Sequence, residues 1–118
     1  MITVDASVLI AYIDPTDQHH NTAVEELASV EPPLWVHPIT MAEVLVNPTK
    51  SGAHTKILDQ LTAIGVIVDP TPIDPVVLAA LRANSGCKLP DCCVMATANS
   101  HRSGILTFDE RLRNAYRR

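Results

Sequence analysis

Short β-branched runs alternate along the chain with longer segments in which apolar positions recur every three or four residues. Four runs read as strands: Ile2-Thr3-Val4, Leu34-Trp35-Val36, Val66-Ile67-Val68 and Ile105-Leu106-Thr107. Each is short and mostly apolar throughout, the pattern of strands buried on both faces. Between them the periodicity predicts helices at about 7–13, 20–30, 40–47, 53–64, 74–85, 90–103 and 110–116. The punctuation agrees, since Asp74-Pro75 is an N-cap followed by proline at the first helical position, and Gly65, Gly86 and Gly104 each follow a helical stretch. Alternating strands and helices predict an α/β fold of three layers, α/β/α, around a central, mostly parallel sheet of short strands. No repeat, low-complexity tract or linker divides the 118 residues, so 1–118 is expected to be a single domain.

In open parallel sheets the functional crevice lies beyond the carboxyl ends of the strands. Asp5, Asp69 and Asp109 occupy such positions. Most of the other acids have structural explanations. Asp14 and Asp17 belong to a turn, Asp74 is a cap, and Glu25, Glu26, Glu31, Asp59 and Glu110 lie in polar stretches or on solvated helix faces. Asp69 precedes Pro-Thr-Pro, a rigid strand exit, and is expected to serve the loop. Four acids remain. Asp5 precedes the apolar stretch Val8 to Ile13, Glu43 has mostly apolar neighbours, Asp91 opens a helix, and Asp109 ends the last strand beside Thr107. Gathered at one sheet edge, four carboxylates would raise each other's pKa unless a hard cation supplied counter-charge. Magnesium or manganese suits such an all-oxygen set, and no plausible His/Cys set favours zinc. Metal-assisted phosphodiester hydrolysis is the chemistry that follows.

The segments Val4-Asp5-Ala6-Ser7, Thr40-Met41-Ala42-Glu43, Leu89-Pro90-Asp91 and Leu106-Thr107-Phe108-Asp109 carry a resemblance that covers essentially the whole chain. It resembles a PIN domain of the VapC-type toxins found in toxin–antitoxin pairs. The resemblance implies a magnesium- or manganese-dependent endoribonuclease that inhibits growth or translation. It also implies a cognate VapB-type antitoxin whose C-terminal segment occupies the active-site groove. Position by position, Asp5, Glu43, Asp91 and Asp109 match the family's acidic quartet, with Asp5, Asp91 and Asp109 as the metal ligands and Ser7 and Thr107 as supporting hydroxyls. The chain departs from many relatives at Leu112, where they carry Phe. Near the fourth acid it has Glu110, Arg111 and Arg113 where some carry a further acid.

Composition narrows the way RNA is held. A formal charge of −4 and only four aromatic residues exclude binding by bulk positive charge or by stacking successive bases on rings. Charge is unevenly spread, because residues 109–118 carry four arginines against two acids. Arg111 and Arg113, with Arg82 and Lys88 on the approach to Asp91, are therefore the candidate RNA contacts, alongside Arg117 and Arg118. The five histidines have no ligand spacing and are assigned structural or surface roles. Cys87, Cys92 and Cys93 read as small buried hydrophobes rather than zinc ligands or disulfides. The N-terminus has no basic leader and the apolar run Val8–Ile13 is far shorter than a membrane span of about 20 residues, so a cytoplasmic protein with no membrane association is expected. The apolar content permits a homodimer face.

Three rivals were weighed. A receiver-like signalling domain would need an acidic neighbour to Asp5 and a lysine where Asp109 stands. A phosphatase with an Asp-x-Asp nucleophile motif is opposed by Ser7 at the second position. A PIN-type fold that only binds RNA or a protein, without nuclease activity, is opposed by the intact acids.

Overall fold

The computed structural model describes residues 1–117; Arg118, counted above in the arginine-rich C-terminus, lies outside them. In chain order the elements are β1 (Ile2–Val4), α1 (Ala6–Ile13), α2 (His20–Ala28), β2 (Leu34–Val36), α3 (Pro38–Lys50), α4 (His54–Ala63), β3 (Val66–Val68), α5 (Pro75–Ser85), α6 (Leu89–His101), β4 (Ile105–Leu106) and α7 (Glu110–Tyr116). The four strands form one sheet in the order β3-β2-β1-β4, and every pairing is parallel. The fold is thus the expected α/β arrangement of helices about a short-stranded sheet.

Register places the site. Thr3 pairs with Trp35 and Trp35 with Ile67, while Val4 pairs with Leu106. Extended by one residue beyond the last strand positions, the same register lines up Asp69, His37, Asp5 and Thr107 in a row across the carboxyl edge of the sheet. The row is anchored by backbone bonds from Asp5 N–H to Leu106 O at 3.0 Å and from Asp69 N–H to Val36 O at 2.8 Å.

Beneath that edge the core is built from Val4, Val8, Leu9, Leu34, Val36, Val44 and Leu61, all almost fully buried. Burying a side chain of this kind stabilises the fold by roughly 1.5–3 kcal/mol. A second cluster, Cys87, Cys92, Val94, Met95 and Leu112, ties α6 to α7. The three cysteines are free and buried, as expected, and burial pushes the Cys93 thiol up to about 11.

Local chemistry explains several boundaries. Asp74 Oδ1 accepts from the backbone N–H of Val76 at 2.9 Å and of Val77 at 3.4 Å, capping α5 as expected. Gly65 joins α4 to β3 at φ +99°, and a Cβ there would meet Pro32 Cβ at 2.8 Å, so the α4–β3 turn and the approach to β2 both require glycine.

Some expectations need correcting. The helix predicted at 40–47 begins at Pro38, where His37 Nδ1 accepts from Ile39 N–H at 3.0 Å, and it runs through Pro48 to Lys50. The fourth strand stops at Leu106, leaving Thr107 beyond it. The strands are not all buried on both faces. Ile67 and Val68, which point to opposite faces of the edge strand β3, are 44% and 39% exposed.

Candidate active site

Asp5 is the first residue past β1 and the N-cap residue of α1, and its side chain is 8% exposed. Its Oδ2 accepts two hydroxyl hydrogen bonds, from Ser7 Oγ at 2.8 Å and from Thr107 Oγ1 at 2.7 Å. Both hydroxyls are held in turn. Phe108 N–H donates to Ser7 Oγ at 3.1 Å, and Asp109 N–H donates to Thr107 Oγ1 at 2.9 Å. The first strand and the fourth are thus locked together through one carboxylate oxygen, and Oδ1 is left without a partner among the described residues.

Asp109 caps α7, with Oδ1 accepting from Arg111 N–H at 2.9 Å and Leu112 N–H at 3.3 Å. Asp91 sits in the first turn of α6. Partial burial pushes its carboxyl above the ordinary range, and the charges of Asp109 and Asp5 push it further; Lys88 and Arg111 pull the other way. Glu43, in the second turn of α3, is likewise raised, first by desolvation and then by Asp5 and Asp91. Four acids from four separate segments therefore share one electrostatic neighbourhood with Asp91 at its centre.

Acids outnumber bases there, since Lys88 and Arg111 are the positive side chains that act on Asp91. Among the described residues no three Asp, Glu, His or Cys side chains stand close enough together to enclose a metal ion. Magnesium keeps several waters and is commonly held by one or two carboxylates, so one or two of Asp5, Asp91 and Asp109, with water completing the shell, fit magnesium or manganese and not a fully protein-ligated zinc.

The candidate RNA contacts divide. Lys88 and Arg111 act electrostatically on Asp91, although Arg111 Nη2 also donates to Gly86 O at 2.9 Å. Arg82 is tied to Cys87 O at 2.8 Å, and Arg113 is drawn inward to Thr107 O and Glu110. Two residues of the sheet-edge row were not among the site candidates. His37 was grouped with the structural histidines, and Asp69 was assigned to its loop. Asp69 does turn the chain, accepting from Thr71 N–H at 3.0 Å, but it is 4% exposed and its Oδ2 lies 3.3 Å from His101 Nε2. The signal for both was their place directly after a strand run.

A family model for the PIN domain matches residues 2–118. The chain belongs to the PIN-domain family. Among solved structures this PIN domain is similar to a toxin–antitoxin complex from Klebsiella pneumoniae, with a TM-score of 0.75 and 25% identity over 92% of this chain and 87% of that one. It also shares its fold with VapC20 of Mycobacterium tuberculosis, a toxin that cleaves the sarcin–ricin loop, with a TM-score of 0.77 and 17% identity over 98% of this chain and 95% of that one. A comparison with curated proteins gives no match.

Proposed function

We propose that this PIN domain is a VapC-type toxin, a magnesium- or manganese-dependent endoribonuclease acting in the cytoplasm. The observation that carries the reading is the clustering of the acids: partial burial and then the charges of Asp109 and Asp5 raise Asp91, and partial burial and then Asp5 and Asp91 raise Glu43. Uncompensated negative charge assembled from four segments is costly for folding and serves a cation. Asp5, Asp91 and Asp109 would hold that ion, one or two of them directly and the rest through water, and when bound it supplies positive charge to acidify water and to offset charge developing on the phosphodiester. Ser7 and Thr107 fix the Asp5 carboxylate. Glu43, its carboxyl raised, holds or releases a proton nearer neutrality than a free glutamate does, the property a general base or acid needs. Lys88 and Arg111 receive RNA phosphates beside Asp91.

Two partners accompany the reading. The structural likeness to a toxin–antitoxin complex supports an antitoxin, and the apolar groove between α1, α3 and α4, lined by Ile10, Ile13, Val44 and Ile57 and reaching Glu43, suits its C-terminal segment. A second copy of the chain suits the exposed apolar side chains of β3 and α5, among them Ile67, Val68 and Val76, the last 75% exposed. No helix of the described residues is long and apolar enough to cross a membrane.

Expression with and without the antitoxin, followed by mapping of RNA ends at controlled magnesium, tests the proposal. The parent is expected to arrest growth and cut RNA, and Asp5→Asn is expected to do neither while remaining folded. Equal toxicity of the two would overturn the mechanism, and a folded parent that cuts no RNA would favour the binding-only alternative.

A further inference from the structure

The same sheet edge carries a second polar site that the acid cluster does not use. Two strands away from Asp5, a cavity of about 200 Å³ opens between the segment following β3, α5 and the C-terminal half of α6. Its polar lining includes His37, Asp69 and Thr97, which are only 6%, 4% and 2% exposed, and its apolar walls include Ile73, Val77 and Leu78.

Thr97 and His37 each have a polar atom without a partner among the described residues, and the Asp69 carboxylate keeps an acceptor site beyond its bonds from Thr71 and its contact with His101. Thr97 Oγ1 has no hydrogen-bond partner among the described residues, an uncommon condition for a buried hydroxyl. His37 accepts from Ile39 N–H through Nδ1, so in its neutral form the ring carries its proton on Nε2, and that N–H has no partner among the described residues. Burial holds the imidazole neutral against the pull of Asp69. Burial alone would raise the Asp69 carboxyl, but bonds from the Thr71 backbone and side chain, together with His101, hold it below the ordinary carboxylate range. The cavity thus offers a neutral N–H donor, a carboxylate acceptor and a hydroxyl that can serve as either.

That combination selects its ligand. A phosphate or other anion meets the Asp69 charge. A guanidinium satisfies Asp69 but has no acceptor for His37 Nε2–H. A planar heterocycle with an amino group beside a ring nitrogen or carbonyl satisfies both, and the volume, below the roughly 300–1,000 Å³ of ordinary ligand pockets, holds one ring system and not a whole nucleotide. We propose that this cavity receives one unpaired nucleobase of the RNA, with its amino group turned to Asp69 and the adjacent acceptor turned to His37 Nε2. Position supports the assignment. Asp69 stands two strand spacings from Asp5, roughly 10 Å along the edge, and Thr97 lies six residues beyond Asp91 on α6, roughly 9 Å along the helix. A strand of RNA crossing the acids therefore brings a neighbouring base to the cavity, read on its edge as single-stranded RNA commonly is. Adenine, cytosine and guanine fit; uracil can offer Asp69 only its N3–H, which lies between two carbonyls and so brings one of them against the carboxylate.

The inference rests on the ribonuclease reading for its biological sense, but its test does not depend on cleavage. The isotopically labelled full chain is titrated with adenosine, cytidine, guanosine, uridine and an arginine amide while the His37 imidazole and Thr97 methyl resonances are followed. The amino-bearing nucleosides are expected to shift both, and uridine to bind roughly tenfold more weakly or worse. Asp69→Asn is expected to weaken the amino-bearing nucleosides by a similar factor. Thr97→Val removes a hydroxyl that has no partner to lose, so it keeps the fold while weakening binding. Shifts caused by the arginine amide alone would assign the cavity to a protein side chain and overturn the proposal. So would the absence of any nucleoside shift, or equal binding of all four. Failure of the nuclease reading shows elsewhere, as RNA left uncut by a chain that still binds these nucleosides.

Discussion

Asp5 Oδ2 accepts from Ser7 Oγ and from Thr107 Oγ1, and those two hydroxyls stand 3.4 Å apart. A carboxylate fixed by two hydroxyls presents its free Oδ1 in one orientation, which is what a metal ligand requires of its supporting residues. Ser7 is the more informative of the pair because it also accepts from Phe108 N–H and so couples the carboxylate to the loop that carries Asp109. Ser7→Ala is expected to lower the kcat/KM of RNA cleavage by about 10–100-fold, the usual cost of losing such a partner, while the lost hydrogen bonds cost about 1–3 kcal/mol in stability. Steady-state cleavage and urea unfolding of the same preparation check both numbers. Unchanged cleavage would mean that Ser7 serves only the loop.

At the scale of elements, Asp109 belongs both to the acid cluster and to α7, whose first N–H groups it caps. The two roles separate by substitution. Asp109→Ala is expected to lose activity and about 0.5–2 kcal/mol of stability, whereas Asp109→Ser recovers most of the cap and none of the charge. Recovery of cleavage by Asp109→Ser would show that only the cap mattered. The same dual use explains what was legible in the chain. Strand runs, caps and the four acids carry local signatures: Asp5 and Asp109 follow strands, Asp91 sits in the first turn of α6, and Glu43 stands in the second turn of α3 among apolar neighbours. The start of α3 was hidden because His37, a poor cap by composition, accepts Ile39 N–H through its ring, and its end because Pro48 reads as a stop. The neighbourhood of His37 and Asp69 was hidden for another reason. Residues 32 positions apart become neighbours only through the β2–β3 register, which no local pattern encodes. The exposure of Ile67 and Val68 follows from the same kind of long-range choice, since the strand order that puts β3 at the sheet edge is not written in its own residues.

For the molecule as a whole, the acid cluster is a cost that the proposed cation would offset. Asp91 and Glu43 titrate above their ordinary values of 3.8 and 4.5. Over the pH range from those values up to the raised ones, the folded state holds more protons than the unfolded chain, so stability falls as pH rises. The whole penalty is then present at neutral pH and absent below the ordinary carboxylate range. Glu43→Gln and Asp91→Asn are therefore expected to raise the Tm of the metal-free protein at pH 7 and to leave it nearly unchanged at pH 3, while abolishing cleavage. Added magnesium or manganese is expected to raise the Tm of the parent, since a ligand at 100 times its Kd contributes about 2.7 kcal/mol, and to act far less on Asp91→Asn. Calorimetry of the three proteins, with and without cation at both pH values, measures this directly. A parent Tm indifferent to either cation, together with variants no more stable than the parent at pH 7, would mean that these acids are neither strained nor a cation site. The opposite pattern, more stable and inactive, is expected when function and not folding has assembled the charges.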